Sequence, residues 1–151
     1  MHRNYRLPAA LSVCLLIAAT GIGTAAAAAP ARRPATCDPG ACAGQDPVQT
    51  GCTDDARALD IKQRSGRTVS LLWSPNCQVT WGQLAGGQVD SQGNNDSVMV
   101  QDDQVPAHSF SSPVLVNGLT VQTLMINSTG VDSQACATLI NDPVPLCTEF
   151  R

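Results

Sequence analysis

The sequence predicts an all-β fold, a small disulfide-stapled sandwich or barrel of about seven to eight strands, preceded by a cleaved signal peptide. Short β-prone runs with period-two spacing recur between turns rich in Pro, Gly, Asn and Asp. No stretch after Pro30 keeps a helical period with caps, although Asp54 to Ile61 could hold a single turn. Six cysteines remain once the export segment is set aside.

Residues 1–29 carry the export pattern. Arg3 and Arg6 make a basic start, Leu11 to Ile17 an apolar centre, and Ala25 to Ala29 offer small-residue cleavage sites before Pro30. A retained anchor is the competing reading, because Ala9 to Ala29 is nearly uncharged, but its second half is almost all Ala, Gly and Thr. Val13 before Cys14 does not suit lipid attachment, so Cys14 is expected to leave with the signal. Residues 30–36, with two prolines and no apolar period, read as a disordered leader. Residues 37–151 are then the secreted β domain.

An even cysteine count in an exported chain reads as three disulfides, because that compartment lets them form and persist. Zinc would need paired C-x2-C or Cys/His spacings, which are missing, so no metal or other cofactor is expected. Cys37, Cys42, Cys52, Cys77, Cys136 and Cys147 leave fifteen pairings open. The reading adopted is local: Cys37 with Cys42, Cys52 with Cys77, Cys136 with Cys147.

In chain order, Cys37 to Cys52 is irregular backbone pinned by sulfur. Leu59 and Ile61 alternate with polar residues in a first strand, and Ser65-Gly66 turns the chain. The central stretch follows, in which Thr68 to Trp73 and Val79 to Trp81 form a hairpin around Ser74-Pro75-Asn76. Its indoles, Trp73 and Trp81, are expected in the core, since aromatic bulk is otherwise limited to Phe110 and Phe150 in the exported part. Gln88 to Asp96 is a polar loop, Ser97 to Gln101 a strand, Asp102-Asp103 a turn, and Ala107 to Phe110 a strand. Asn117-Gly118 between β-prone runs predicts a type I′ hairpin over Val114 to Ile126. Ser133 to Leu139 is a strand, and Asn141 to Pro145 a loop whose prolines exclude a central strand.

The exported part has seven basic and twelve acidic residues, a net charge of −5. That disfavours nucleic acid and anionic membrane as partners, which reward clustered Lys and Arg. Arg57, Lys62, Arg64 and Arg67 are the one basic cluster, read as a solvated face.

The pieces Cys42-Ala43-Gly44-Gln45-Asp46-Pro47, Gly51-Cys52, Leu72-Trp73-Ser74-Pro75-Asn76-Cys77 with Trp81, Ala135-Cys136 and Cys147-Thr148 together resemble a bacterial secreted family known as domain of unknown function 2690. The resemblance covers nearly all of the exported chain. It implies a small exported domain, common in actinobacteria and also found as the outer part of some membrane-anchored regulators, with no assigned activity. Ser70, Leu72 and Gln83 stand where relatives often carry charged residues.

No catalytic constellation is visible. His108, the one histidine after the signal, has no triad pattern around it, and Asp54-Asp55 and Asp102-Asp103 suit turns better than paired catalysis. Asp90 to Asp96 resembles the start of a calcium loop, but Asn95 stands at the glycine position and Gln101 at the closing acid position, so a solvated loop is expected. Asn95-Asp96-Ser97 and Asn127-Ser128-Thr129 match the glycan acceptor pattern, usually by chance in bacteria. The expected function is therefore a non-catalytic binding or structural module, monomeric, with an extracellular protein or cell-wall component as partner. The alternative is a secreted inhibitor presenting residues 141–147 to an enzyme.

Overall fold

The computed structural model describes residues 35–104 and 107–151. The signal reading of residues 1–29 and the leader up to residue 34 lie outside the described residues. Ala35 and Thr36 belong to the folded body: Ala35 packs against the cysteine cluster, and the Thr36 amide donates to the Thr50 carbonyl at 3.0 Å.

Among the described residues, a single 3-10 turn at Cys52–Asp55 is followed by nine strands. These are β1 (Arg57–Arg64), β2 (Arg67–Ser74), β3 (Val79–Ala85), β4 (Ser97–Asp102), β5 (Ser109–Pro113), β6 (Val121–Gln122), β7 (Ile126–Asn127), β8 (Ser133–Leu139) and β9 (Asp142–Cys147). All pair antiparallel. One sheet runs β1-β2-β3-β6 with β7 also on β3, and the other runs β5-β4-β8-β9. The three disulfides are Cys37–Cys42, Cys52–Cys77 and Cys136–Cys147.

The sheets pack through Val69 and Leu71 of β2, Leu84 of β3, Val98 and Val100 of β4, and Ala135, Ala137 and Leu139 of β8. Gly82 lies opposite Leu71 in register. A Cβ there would stand 3.1 Å from Val98 Cγ2 and 3.2 Å from the Met99 carbonyl, so glycine sets the close approach of the sheets. The other face of β2 and β3 is covered by the cysteine-rich segment, which places Cys42, Cys52 and Cys77 with Val79, Trp81 and Met125. The amides of Gly44 and Met125 bond across to Met125 and Gln45 carbonyls at 2.7 and 3.0 Å. Sulfur thus closes a face that the short aromatic inventory could not.

Three expectations change. The Asn117-Gly118 turn forms, with the Leu119 amide donating to Val116, but its flanks do not pair with each other. The Asn117 side-chain oxygen accepts from Val89, and β6 pairs instead with Gln83 and Leu84 of β3. Pairing with a central strand outweighs the local hairpin preference, and Leu115, Val116 and Leu119 are left exposed. Residues 142–147 form strand β9 and not a free loop. Its prolines are tolerated because it is an edge strand, entered by a turn in which Asn141 has φ of 65°. Finally, the basic cluster is only in part a solvated face: Arg57 is exposed, but the other three are paired. Arg67 is buried and donates to Asp96 at 3.0 Å, Lys62 lies 3.5 Å from both Asp60 and Glu149, and Arg64 pairs with Asp142 at 2.7 Å.

Candidate functional groove

The central hairpin decides where the two indoles go. Trp73 pairs with Thr80, and Trp81 with Leu72. Residues directly opposite share a face, and neighbours along a strand do not, so the tryptophans lie on opposite faces of the first sheet. Trp81 is fully buried among the cysteines, with its Nε1 meeting no acceptor. Trp73, expected in the core beside it, is only partly buried. Its face partner Thr80 is committed to a 2.9 Å hydrogen bond with Ser133, so the apolar layer between the sheets has already ended at this level.

Trp73 instead lines a groove of about 500 Å³ at the end of the sandwich. Leu59 enters it from the register shift between Ala58 and Asp60 on β1. Gln78 comes from the hairpin turn, where it holds φ of 54°. Residues 128–132 form one wall and Arg151 closes another. The backbone of this surround is fixed. The Ser128 amide donates to the Gln78 carbonyl at 3.1 Å, and the Thr129 amide to Asn127 Oδ1 at 2.9 Å. Arg151 and Ser133 exchange both backbone bonds at 2.8 and 3.0 Å, and the Asp132 carbonyl accepts from Asp103 at 3.0 Å.

The side chains are not so committed. Among the described residues, the Gln78 amide, the Ser128 and Thr129 hydroxyls, the Asp132 carboxylate and the Arg151 guanidinium make no side-chain hydrogen bond or ion pair. Two buried carboxylates, by contrast, are spent internally. Asp55 accepts from Ser74 Oγ at 2.6 Å and from the Asn76 amide at 2.9 Å. Asp96 takes Arg67, the Gln88 amide and the Ile140 amide. The groove therefore combines an accessible indole with unspent donors and acceptors on a rigid backbone. That suits binding.

The remaining candidates resolve differently. His108 has a carboxylate partner that sequence distance concealed: its Nδ1 lies 2.8 Å from Asp102 Oδ2, and its backbone amide donates to Oδ1 of the same residue at 2.9 Å. Burial alone would raise the Asp102 pKa. The His108 and Gln104 amides and the imidazole outweigh it and hold the carboxyl below its ordinary value. The recess beside this pair is walled by Ala43, Gly44, Phe110, Ile126 and Asn127, none of which is a nucleophile. Asp54 is exposed while Asp55 is buried under the central hairpin, so they do not act as a pair. Asp103 Oδ1 accepts from the Gln104 side chain at 3.2 Å.

In the loop once compared with a calcium site, Asp90 accepts from the Gln92 and Asn94 amides at 2.8 and 2.9 Å, and Asp96 is fully buried against Arg67. The sulfur atoms of Cys37, Cys42, Cys52 and Cys77 all lie within 4.8 Å of one another, yet they are bonded in two disulfides and present no thiolate to a cation. As for an inhibitory loop, Leu146 points into the core at 9% exposure, and residues 142–147 are bonded into the second sheet. The groove itself was missed in sequence. Its one available signal was parity: a turn that sets Trp73 opposite Thr80 leaves Trp81 one residue out of step, on the other face of the sheet.

Residues 40–136 match the family model described as "Protein of unknown function (DUF2690)". No curated protein and no solved structure matches the chain.

Proposed function

The chain belongs to the family described as Protein of unknown function (DUF2690), and from that premise we propose that it is an exported, non-catalytic binding module whose ligand sits in the Trp73 groove. The observation that carries this reading is the contrast in how polar groups are used. The buried Asp55 and Asp96 are spent on internal partners, whereas five polar side chains gathered around one partly accessible indole make no side-chain bond among the described residues. Export is supported by the pattern of residues 1–29 and by three disulfides, which persist in an oxidising compartment. A binding role in place of catalysis is supported by the recess beside His108 and Asp102, whose other described lining residues carry no hydroxyl or thiol.

The test is retention of the purified, fully bridged protein on washed cell-wall and culture-protein fractions, with Trp73→Ala and Val144→Ala in parallel. Val144 is exposed on β9, away from the groove lining. Retention should be lost for Trp73→Ala and kept for Val144→Ala. Equal retention of Trp73→Ala and wild type would rule the groove out as the binding face.

A further inference from the structure

We propose that the groove ligand is an uncharged pyranose chain, a glycan held with one sugar face against Trp73; this rests on the binding reading above. A pyranose ring has an apolar C–H face and a rim of hydroxyls, each able to donate and to accept. It needs an aromatic surface with unspent polar groups of both kinds around it, because burying its hydroxyls unpaired is costly. The groove supplies this set. Trp73 gives the aromatic surface, Gln78, Ser128 and Thr129 can each donate and accept, Asp132 accepts, and Arg151 donates.

Other ligand classes fit less well on the same observations. An extended peptide would add to a free backbone ladder. Here the Ser128, Thr129 and Arg151 amides and the Gln78 and Asp132 carbonyls are already bonded within the fold, so these five backbone groups offer a peptide no partner. An anion would meet Asp132 as well as Arg151, and a cation would meet Arg151 as well as Asp132, so neither gains a net charge attraction. A purely apolar ligand would strand the polar rim. The volume of about 500 Å³ falls within the range of ligand pockets, ~300–1,000 Å³.

The experiment titrates the bridged protein with soluble tetrasaccharides of β-linked glucose and of N-acetylglucosamine, following the two indole N–H resonances. The same sugars then compete for retention on protein-stripped cell walls. A saturable shift of the Trp73 resonance with Trp81 unmoved, at least about tenfold weaker binding in Trp73→Ala, and weakening of about fivefold in Asp132→Ala support the proposal. Trp73→Phe, which keeps an aromatic ring, should retain most of the affinity and so separates ligand contact from a folding defect. If retention on extracellular fractions depends on Trp73 but neither sugar shifts its resonance nor competes, the glycan assignment falls while the groove stands. If the sugars bind with Trp73→Ala as tightly as with wild type, the groove reading falls as well.

Discussion

Replacing both members of one bridge with alanine at a time should destabilise the domain in a fixed order: Cys52–Cys77 most, Cys136–Cys147 next, Cys37–Cys42 least. The three bridges join residues 25, 11 and 5 positions apart. The loop entropy that each removes from the unfolded chain corresponds to about 3.5, about 2.8 and about 2.2 kcal/mol. Structure sharpens the ranking. Cys136 and Cys147 face each other in the β8–β9 register, so the sheet itself still holds that loop when sulfur is gone. Cys52–Cys77 has no such ladder; it ties the 3-10 turn to the tip of the central hairpin and closes the cluster over Trp81. Removing whole pairs matters, because four sulfurs within 4.8 Å would let a lone thiol attack the neighbouring bridge. Urea unfolding of the three double variants supplies the free energies. For the Cys52→Ala/Cys77→Ala protein the midpoint temperature should also fall by about 10–20 °C. A loss below about 1 kcal/mol for that pair, or a larger loss on removing Cys37–Cys42, would refute sulfur as the closure of this face.

Asp96→Ala should cost about 3–5 kcal/mol, since it leaves Arg67 buried without its partner and the Ile140 amide, now bonded at 2.7 Å, unpaired; chemical denaturation measures it. Gly82→Ala should cost about 1–3 kcal/mol through the 3.1 Å approach to Val98, whereas Gly93→Ala, where a Cβ meets nothing within 4 Å but φ is +84°, should cost only the backbone strain of about 1 kcal/mol. Asp102 gives stability a pH dependence of known sign. Its carboxyl is held below the unfolded value, so between the two values the unfolded chain binds more protons; the contribution is present above the unfolded value and is lost as pH falls through the folded one. Acid titration of unfolding should therefore show a shallower acid limb in Asp102→Asn than in wild type. Leu146→Asp should destabilise through core burial, by about 2–4 kcal/mol, while Val144→Asp, at an exposed position in the irregular part of the same strand, should stay within about 0.5 kcal/mol.

The sequence made the disulfide framework and the strand inventory readable, because both rest on local signals: cysteine spacing, period-two runs and turn residues. Strand β8 follows directly from the alternation in Ser133 to Leu139, and its buried positions Ser133, Ala135, Ala137 and Leu139 keep that period. What stayed hidden needed long-range information. The Asn117-Gly118 signal is strong locally, but β3 offers its edge to residues 121–127 and captures them. Arg67 and Asp96 are 29 residues apart, and neither position advertises a buried pair. The site depends on a still subtler fact, that the sandwich core ends one register step before Trp73, so that an indole indistinguishable by composition from Trp81 is left partly accessible.

The most direct test of that division between the two indoles is collisional quenching by acrylamide of the single-tryptophan variants Trp73→Phe and Trp81→Phe. The remaining Trp81 should be blue-shifted and strongly protected, and the remaining Trp73 red-shifted, readily quenched, and shielded when the groove is occupied. Equal protection of both, or a Trp81 more open than Trp73, would contradict the assignment of one indole to the sulfur-closed interior and the other to the ligand.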